Sequence, residues 1–205
     1  MLMRTYLAAA ERAHPALTRM DQVAGDGDFG DNLRDALRLA VGRVPGDATL
    51  PAEFDIVATC FLDEVGGTSG PLIGLLLRDI AARLAGSDDL DEALASGLAA
   101  GVDTIQRVGE ARVGDRTMLD CLVPALDAIA AAARPVDWVA IAASALAAAR
   151  ATADLTARSG RASYVGDRAL GTPDAGAMGI ALLFWALAAD RHPDRRDELP
   201  DPGEL

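Results

Sequence analysis

Alanine fills roughly a fifth of the chain and recurs with leucine at helical spacing, while β-branched and aromatic runs are scarce. Alanine and leucine favour helices, and sheets draw on the residue types that are scarce here, so the pattern admits little besides helices. The stretch from Asp88 to Val108 is representative: an acidic start, then Leu90, Leu94, Leu98 and Val102 along one stripe. Pro51 and Pro71 each open an apolar stretch, where a missing amide proton costs nothing. Pro135 separates two alanine-rich stretches, and Pro124 lies inside the first of them as a point of kinking. The spacing predicts eight helices, over 2–19, 28–43, 52–65, 70–85, 88–108, 117–133, 136–158 and 174–190, and no strand. Small side chains let helices approach closely, so the expected fold is all-α, an eight-helix antiparallel up-and-down bundle. At 205 residues one domain suffices. Residues 1–190 carry the helices, and 191–205, polar and proline-rich, are expected to fray.

Charge narrows the function. The formal net charge is −12, which argues against sequence-independent binding to nucleic acid or anionic lipid. All 19 basic residues are arginine. That excludes a Walker A lysine, a Schiff base and a kinase strand lysine, so any phosphate chemistry must use metal ions, backbone amides and arginine. The longest apolar runs, such as Ile180–Ala189, fall short of the roughly 20 residues of a membrane span. No charged-then-apolar leader precedes the first helix, and a cytoplasmic location is expected. Cys60 and Cys121 sit among apolar neighbours and read as buried thiols, not as a disulfide scaffold or a multi-cysteine zinc site.

Half of the 20 glycines fall in four clusters: Gly25–Gly30, Gly66–Gly70, Gly109–Gly114 and Gly171–Gly176. Each lies just before a predicted helix, where backbone amides lack partners and the helix dipole is positive, an arrangement suited to anions. The helices that follow are the second, fourth, sixth and eighth, which in an up-and-down bundle all start at the same end. Any one such loop reads as a plain connection; four converging on one rim read as a polyphosphate site. Asp21, Asp26, Asp28 and Asp31 fall within eleven residues and need a positive partner. Hard oxygens around a glycine turn suit magnesium. An EF-hand is excluded because the twelfth residue from Asp26 is Leu37, whereas a solvated acidic turn stays open. Arg161 follows the seventh helix and can reach the same rim, as a phosphate clamp or as the ion-pair partner of a rim aspartate. Met118 and Leu119 start the sixth helix, as one face of an adenine slot or as core.

Taken together, Asp21–Asn32, Gly66–Gly74, Gly114–Asp120 and Gly160–Gly166 running on to Asp174–Ala177 resemble the L subunit, the nucleotide-binding subunit, of dihydroxyacetone kinases. They equally resemble the C-terminal domain of the single-chain enzymes. The resemblance implies an eight-helix antiparallel barrel holding ADP or ATP at one end through two magnesium ions. By position, Asp21, Asp26 and Asp28 match the metal ligands. Asn32, Thr68 and Ser69, with the backbone of Phe29, Gly30 and Asp31, match phosphate contacts. Gly109, Met118, Arg161, Asp174, Ala175 and Gly176 match further nucleotide contacts, and no catalytic side chain is implied beyond these metal and phosphate ligands. Phe29 stands where a histidine or a small residue occurs, and Ala175 where some members have proline; neither alters a metal ligand. The segment before Asp21 is shorter than usual for the family, which suggests an incomplete first helix.

The acceptor implied is the hydroxyl of dihydroxyacetone or another short ketose, held on a separate K subunit that captures the ketone on a histidine. His14 and His192 lie outside every motif and do not replace it. The phosphate comes from exchangeable ATP, or from a bound ADP recharged by the M subunit of a phosphotransferase system; a homodimer is left open. The alternatives are a nucleotide-dependent regulator docking on a transcription factor, and a fatty-acid kinase domain, which would belong to a longer chain.

Overall fold

In the computed structural model, which describes residues 1–204, the apolar stripes become eight α-helices. They are α1 (Leu2–Ala24), α2 (Phe29–Arg43), α3 (Leu50–Glu64), α4 (Ser69–Leu84), α5 (Leu90–Gly109), α6 (Leu119–Ala131), α7 (Trp138–Ala151) and α8 (Ala175–Arg191). No strand occurs among the described residues. Each helix packs on the next in chain order and α8 returns to α1, closing an antiparallel ring. α8 is buried along most of its length and also touches α2 and α6, so it lies innermost. No helix among the described residues is long and apolar enough to cross a membrane.

Glycine sets how closely the helices approach. A Cβ on Gly97 would lie 2.7 Å from the Ile80 Cα, so α4 and α5 touch backbone to backbone. A Cβ on Gly179 of α8 would meet the Phe29 ring at 2.7 Å, and the buried Tyr6 hydroxyl donates to the Gly179 carbonyl at 2.9 Å. These contacts tie α1, α2 and α8 together beside the start of α2.

Helix ends otherwise agree to within two residues, but three expectations are corrected. α1 runs on to Ala24 instead of stopping at 19, because nothing between Arg19 and Gly25 breaks it, and Asp21 therefore stands on a helix. α7 stops at Ala151 instead of 158: the Thr152 hydroxyl donates to the Ala149 carbonyl at 2.5 Å, and three short 3₁₀ turns follow before α8. The tail expected to fray is docked over 193–204. Trp185 Nε1 donates to the Pro200 carbonyl at 2.8 Å, Arg12 grips Asp201, and Leu199 joins the core. Leu205 lies outside the described residues.

The two ends of the ring are built differently. Every described residue with a left-handed φ lies in the connections that lead into α2, α4, α6 and α8: Gly27, Gly67, Glu110, Gly114, Arg116, Gly160, Gly166 and Gly171. For Glu110 and Arg116 that conformation is sterically costly, and such strain concentrates at functional sites. The opposite end is closed by ordinary caps. Asp89 and Asp137 accept from the first-turn amides of α5 and α7, and buried Asp91 accepts from Val136 N and Trp138 Nε1, both at 2.9 Å.

Candidate functional site

A cavity opens at the strained end. Its apolar floor reaches the core through Leu33, Phe61, Ile73 and Ile105, and its polar wall comes from four connections. The first is the end of α1 with the start of α2. Asp21 Oδ2 accepts from Phe29 N at 3.0 Å, which fixes the turn between the two helices. The second is Thr68-Ser69-Gly70 at the start of α4. No side chain caps this helix, so the Thr68 and Ser69 hydroxyls and the first amides, Pro71 excepted, are available to a ligand.

The third connection precedes α6. Asp120, nearly buried, accepts from Gly114 N at 2.5 Å and from Thr117 N at 2.7 Å. This carboxylate folds the loop back on itself, puts Arg116 at φ +63° and turns its side chain inward, where it is 1% exposed. Arg116 Nη2 donates to the carbonyls of Thr172 at 2.8 Å and Ala169 at 3.3 Å.

The fourth connection is the excursion from Thr152 to Asp174. Thr152 Oγ1 accepts from Asp174 N at 2.7 Å, and Asp174 Oδ2 caps α8 by accepting from Ala177 N at 2.8 Å. Burial pushes the Asp174 carboxyl up to about 6. The Ala177 amide and the Arg116 charge pull it down, and the neighbouring charges of Asp120 and Asp21 push it further up.

The cavity wall gathers Asp21, Phe29, Asn32, Thr68, Ser69, Gly109, Met118, Arg161, Asp174, Ala175 and Gly176 from the sequence-derived set. Asp26, Asp28, Gly30 and Asp31 are not among its lining residues. Gly30 sits against α1, where a Cβ would meet Thr18 Oγ1 at 2.5 Å. Asp31 turns outward to His14 Nε2 at 2.9 Å and Arg34 Nη2 at 2.7 Å, which hold its carboxyl below the ordinary range. Asp26 forms an ion pair with Arg161, and both side chains are about half exposed.

Carboxylate oxygens are the hard donors magnesium takes; Asp21 in the last turn of α1 and Asp26 and Asp28 in the turn that follows supply three of them, so the chemistry of the set fits the ion. The side chains are not drawn together, however. Among the described residues no three acidic, histidine or cysteine groups are gathered as a metal cluster. The physical reason is visible in the partners: Asp21 is committed to the Phe29 amide and Asp26 to Arg161.

Sequence reading did not single out Arg116 or Asp120. Both lie inside the Gly114–Asp120 motif, and an arginine and an aspartate flanking a short glycine-led loop were the signal that could have found them.

Comparison with known proteins places these features in a wider set. The family model described as the DAK2 domain matches residues 23–189. An L-erythrulose 1-kinase of Mycolicibacterium smegmatis is 37% identical over 194 residues, covering 91% of this chain and 34% of that protein. The ADP-binding subunit DhaL of a PEP-dependent dihydroxyacetone kinase of Listeria innocua is 34% identical over 176 residues, covering 83% of this chain and 84% of that subunit. The crystal structure of the dihydroxyacetone kinase from C. freundii in complex with AMP-PNP and Mg2+ superposes with a TM-score of 0.72 at 28% identity, covering 92% of this chain and 33% of that one. The chain thus spans about a third of the erythrulose kinase and of the C. freundii enzyme, and most of the DhaL subunit.

Proposed function

The chain belongs to the DAK2 domain family, and on that footing we propose that it is the nucleotide-binding part of a kinase acting on an alcohol group. Its acceptor is the hydroxyl of a short ketose, dihydroxyacetone or erythrulose, presented by a separate K subunit or domain. Residues 1–190 form the nucleotide-binding domain. The observation that carries this reading is the meeting of four chain-distant segments on one cavity: Asp21 with Phe29 and Asn32, Thr68-Ser69, Met118, and Arg161 with Asp174 to Gly176.

The roles follow from position. The open start of α4, with the Thr68 and Ser69 hydroxyls, cradles phosphate oxygens, and Asn32 donates to them from the first turn of α2. Arg161, at the mouth, adds a guanidinium toward the outer phosphates. Met118 and Gly176, close enough that a Cβ on Gly176 would lie 3.9 Å from Met118 Cε, flank the base together with Gly109. Asp21, Asp26 and Asp28 would hold magnesium, which when bound neutralises phosphate charge and acts as a Lewis acid. Phosphoryl transfer asks mainly for positioning and charge neutralisation, and this wall supplies positioning without a covalent residue. The partner supplies the acceptor hydroxyl.

Calorimetric titration with MgADP tests the reading. The wild-type chain binds with one site per chain, and Asp28→Ala abolishes magnesium-dependent binding while leaving the helical signal intact. Affinity that survives Asp28→Ala within a few-fold removes Asp28 from the metal set, and absence of wild-type binding refutes the function. Retention of ADP through extensive dialysis would support a permanently bound cofactor recharged by a phosphotransferase-system M subunit. Displacement of ADP by ATP would support an ordinary ATP-dependent kinase.

A further inference from the structure

Arg116 is the one fully buried arginine among the described residues, and its hydrogen-bonding is half complete. Nη2 is anchored on the Ala169 and Thr172 carbonyls, whereas Nε and Nη1 are buried without an acceptor among the described residues. No carboxylate lies within ion-pair distance of it among the described residues. Its charge is felt by Asp174, on the same cavity wall. A buried guanidinium with idle donors and no counter-ion is costly, since the desolvation of each unpaired polar group goes uncompensated. The chain also carries backbone strain to put it there: φ is +63° at a residue other than glycine, held by the two hydrogen bonds that Asp120 accepts from the Gly114 and Thr117 amides. Arg116 forms part of the cavity wall beside Thr117 and Met118.

We propose that Arg116 is a further ligand-binding residue of this cavity, its unused guanidinium donors completed by an anionic oxygen of the bound nucleotide. The inference rests on the nucleotide reading above and adds a cation that is preorganised and dry, in contrast to the half-exposed Arg161 at the mouth. Anchoring through Nη2 fixes the plane of the guanidinium before ligand arrives, so no rotamer freedom is lost on binding. An ammonium in the same place could still donate to the two carbonyls, but it lacks the planar set of additional donors.

The test uses the full chain with Arg116→Lys and Arg116→Gln. MgADP affinity is measured by calorimetry, and amide hydrogen exchange of residues 169–176 is followed without nucleotide. The expected result for Arg116→Lys is an affinity loss of about 10- to 100-fold, the range for hydrogen bonds to a charged group, with the protection of 169–176 unchanged. Arg116→Gln, which drops the charge, loses at least as much. If Gln does not fold, Lys carries the test. Affinity within about threefold of wild type in the Lys variant overturns the inference. So does an affinity loss accompanied by loss of protection at 169–176, because Arg116 would then act by holding the wall. Failure of the wild-type chain to bind MgADP overturns the functional reading and the inference together; a wild type that binds while the Lys variant keeps its affinity overturns the inference alone.

Discussion

Asp174 carries a charge that the folded chain resists, and removing that charge should stabilise the protein. Its carboxyl is raised from 3.8 to about 6, chiefly by burial at the cavity wall. The folded state therefore holds the proton up to about pH 6, while the unfolded chain releases it near 3.8. Between those values the native state binds more protons, so stability falls as pH rises through this window and levels off above it. Each tenfold difference in proton affinity between the folded and unfolded chain is worth about 1.4 kcal/mol, so the penalty at pH 8 is about 3 kcal/mol, and about half of it has developed by pH 5. Asp174→Asn deletes the charge yet keeps an oxygen for the Ala177 amide, and asparagine caps helices as well as aspartate does. The variant should be more stable at pH 8 by up to about 3 kcal/mol, a rise in melting temperature of about 6–12 °C for a domain of this size. The gain should shrink by about half at pH 5, still above the isoelectric point near 4.5. Melts by circular dichroism from pH 8 to pH 5, in the presence of a chelator, measure it. A variant no more stable than wild type at pH 8, or a gain that does not vary with pH, refutes the argument that Asp174 is held charged against its surroundings.

Gly97→Ala should destabilise by about 1–3 kcal/mol in urea denaturation, because its Cβ would press on the Ile80 backbone and neither helix can yield locally; the gain in helix propensity offsets part of this. Asp91→Ala should cost at least about 2 kcal/mol by stranding the Val136 amide and the Trp138 indole N–H, and should leave MgADP affinity unchanged because it acts at the far end of the ring. Arg161→Ala should move the melting temperature little, since half-exposed ion pairs contribute about 0–1 kcal/mol, yet weaken MgADP binding by about 1–3 kcal/mol in calorimetry.

The helical class and the rim were legible in the sequence because both rest on local signals. Alanine and leucine at helical spacing set the helices, and glycine before each even-numbered helix marked the strained end. What escaped notice depends on partners far along the chain. Asp31 looked like the rest of the acidic turn, but His14, seventeen residues away, draws it outward. The tail reads as solvated from its composition, yet Arg12 and Trp185 hold it down through Asp201 and the Pro200 carbonyl. α7 stops short of the expected 158 because the Thr152 hydroxyl turns back to Ala149 and receives the amide of Asp174, a partner 22 residues further along the chain. Arg116 was hidden for a different reason: a left-handed arginine contradicts its own preference, and only the two amides gathered by Asp120 make that conformation hold.

The charges around the cavity fall into two classes, and the division explains how a chain of net charge −12 can accept a polyphosphate. At the mouth, Asp26 and Arg161 neutralise each other in a half-exposed pair. Such a pair is worth so little in water that either partner can be traded at small cost, the carboxylate to a divalent ion and the guanidinium to a phosphate. Away from the mouth, Asp174 in the wall and Asp120 in the loop before α6 are bound to backbone amides and are committed to shaping loops, so their charge is fixed in place. Arg116 stands beside them as a cation without an ion-pair partner among the described residues. An anion entering the cavity thus meets an exchangeable pair at the mouth and a fixed positive charge in the wall. The repulsion expected from overall composition remains at the acidic turn, where the donors suit a divalent cation, and around Asp174, whose charge the neighbouring Asp120 and Asp21 oppose.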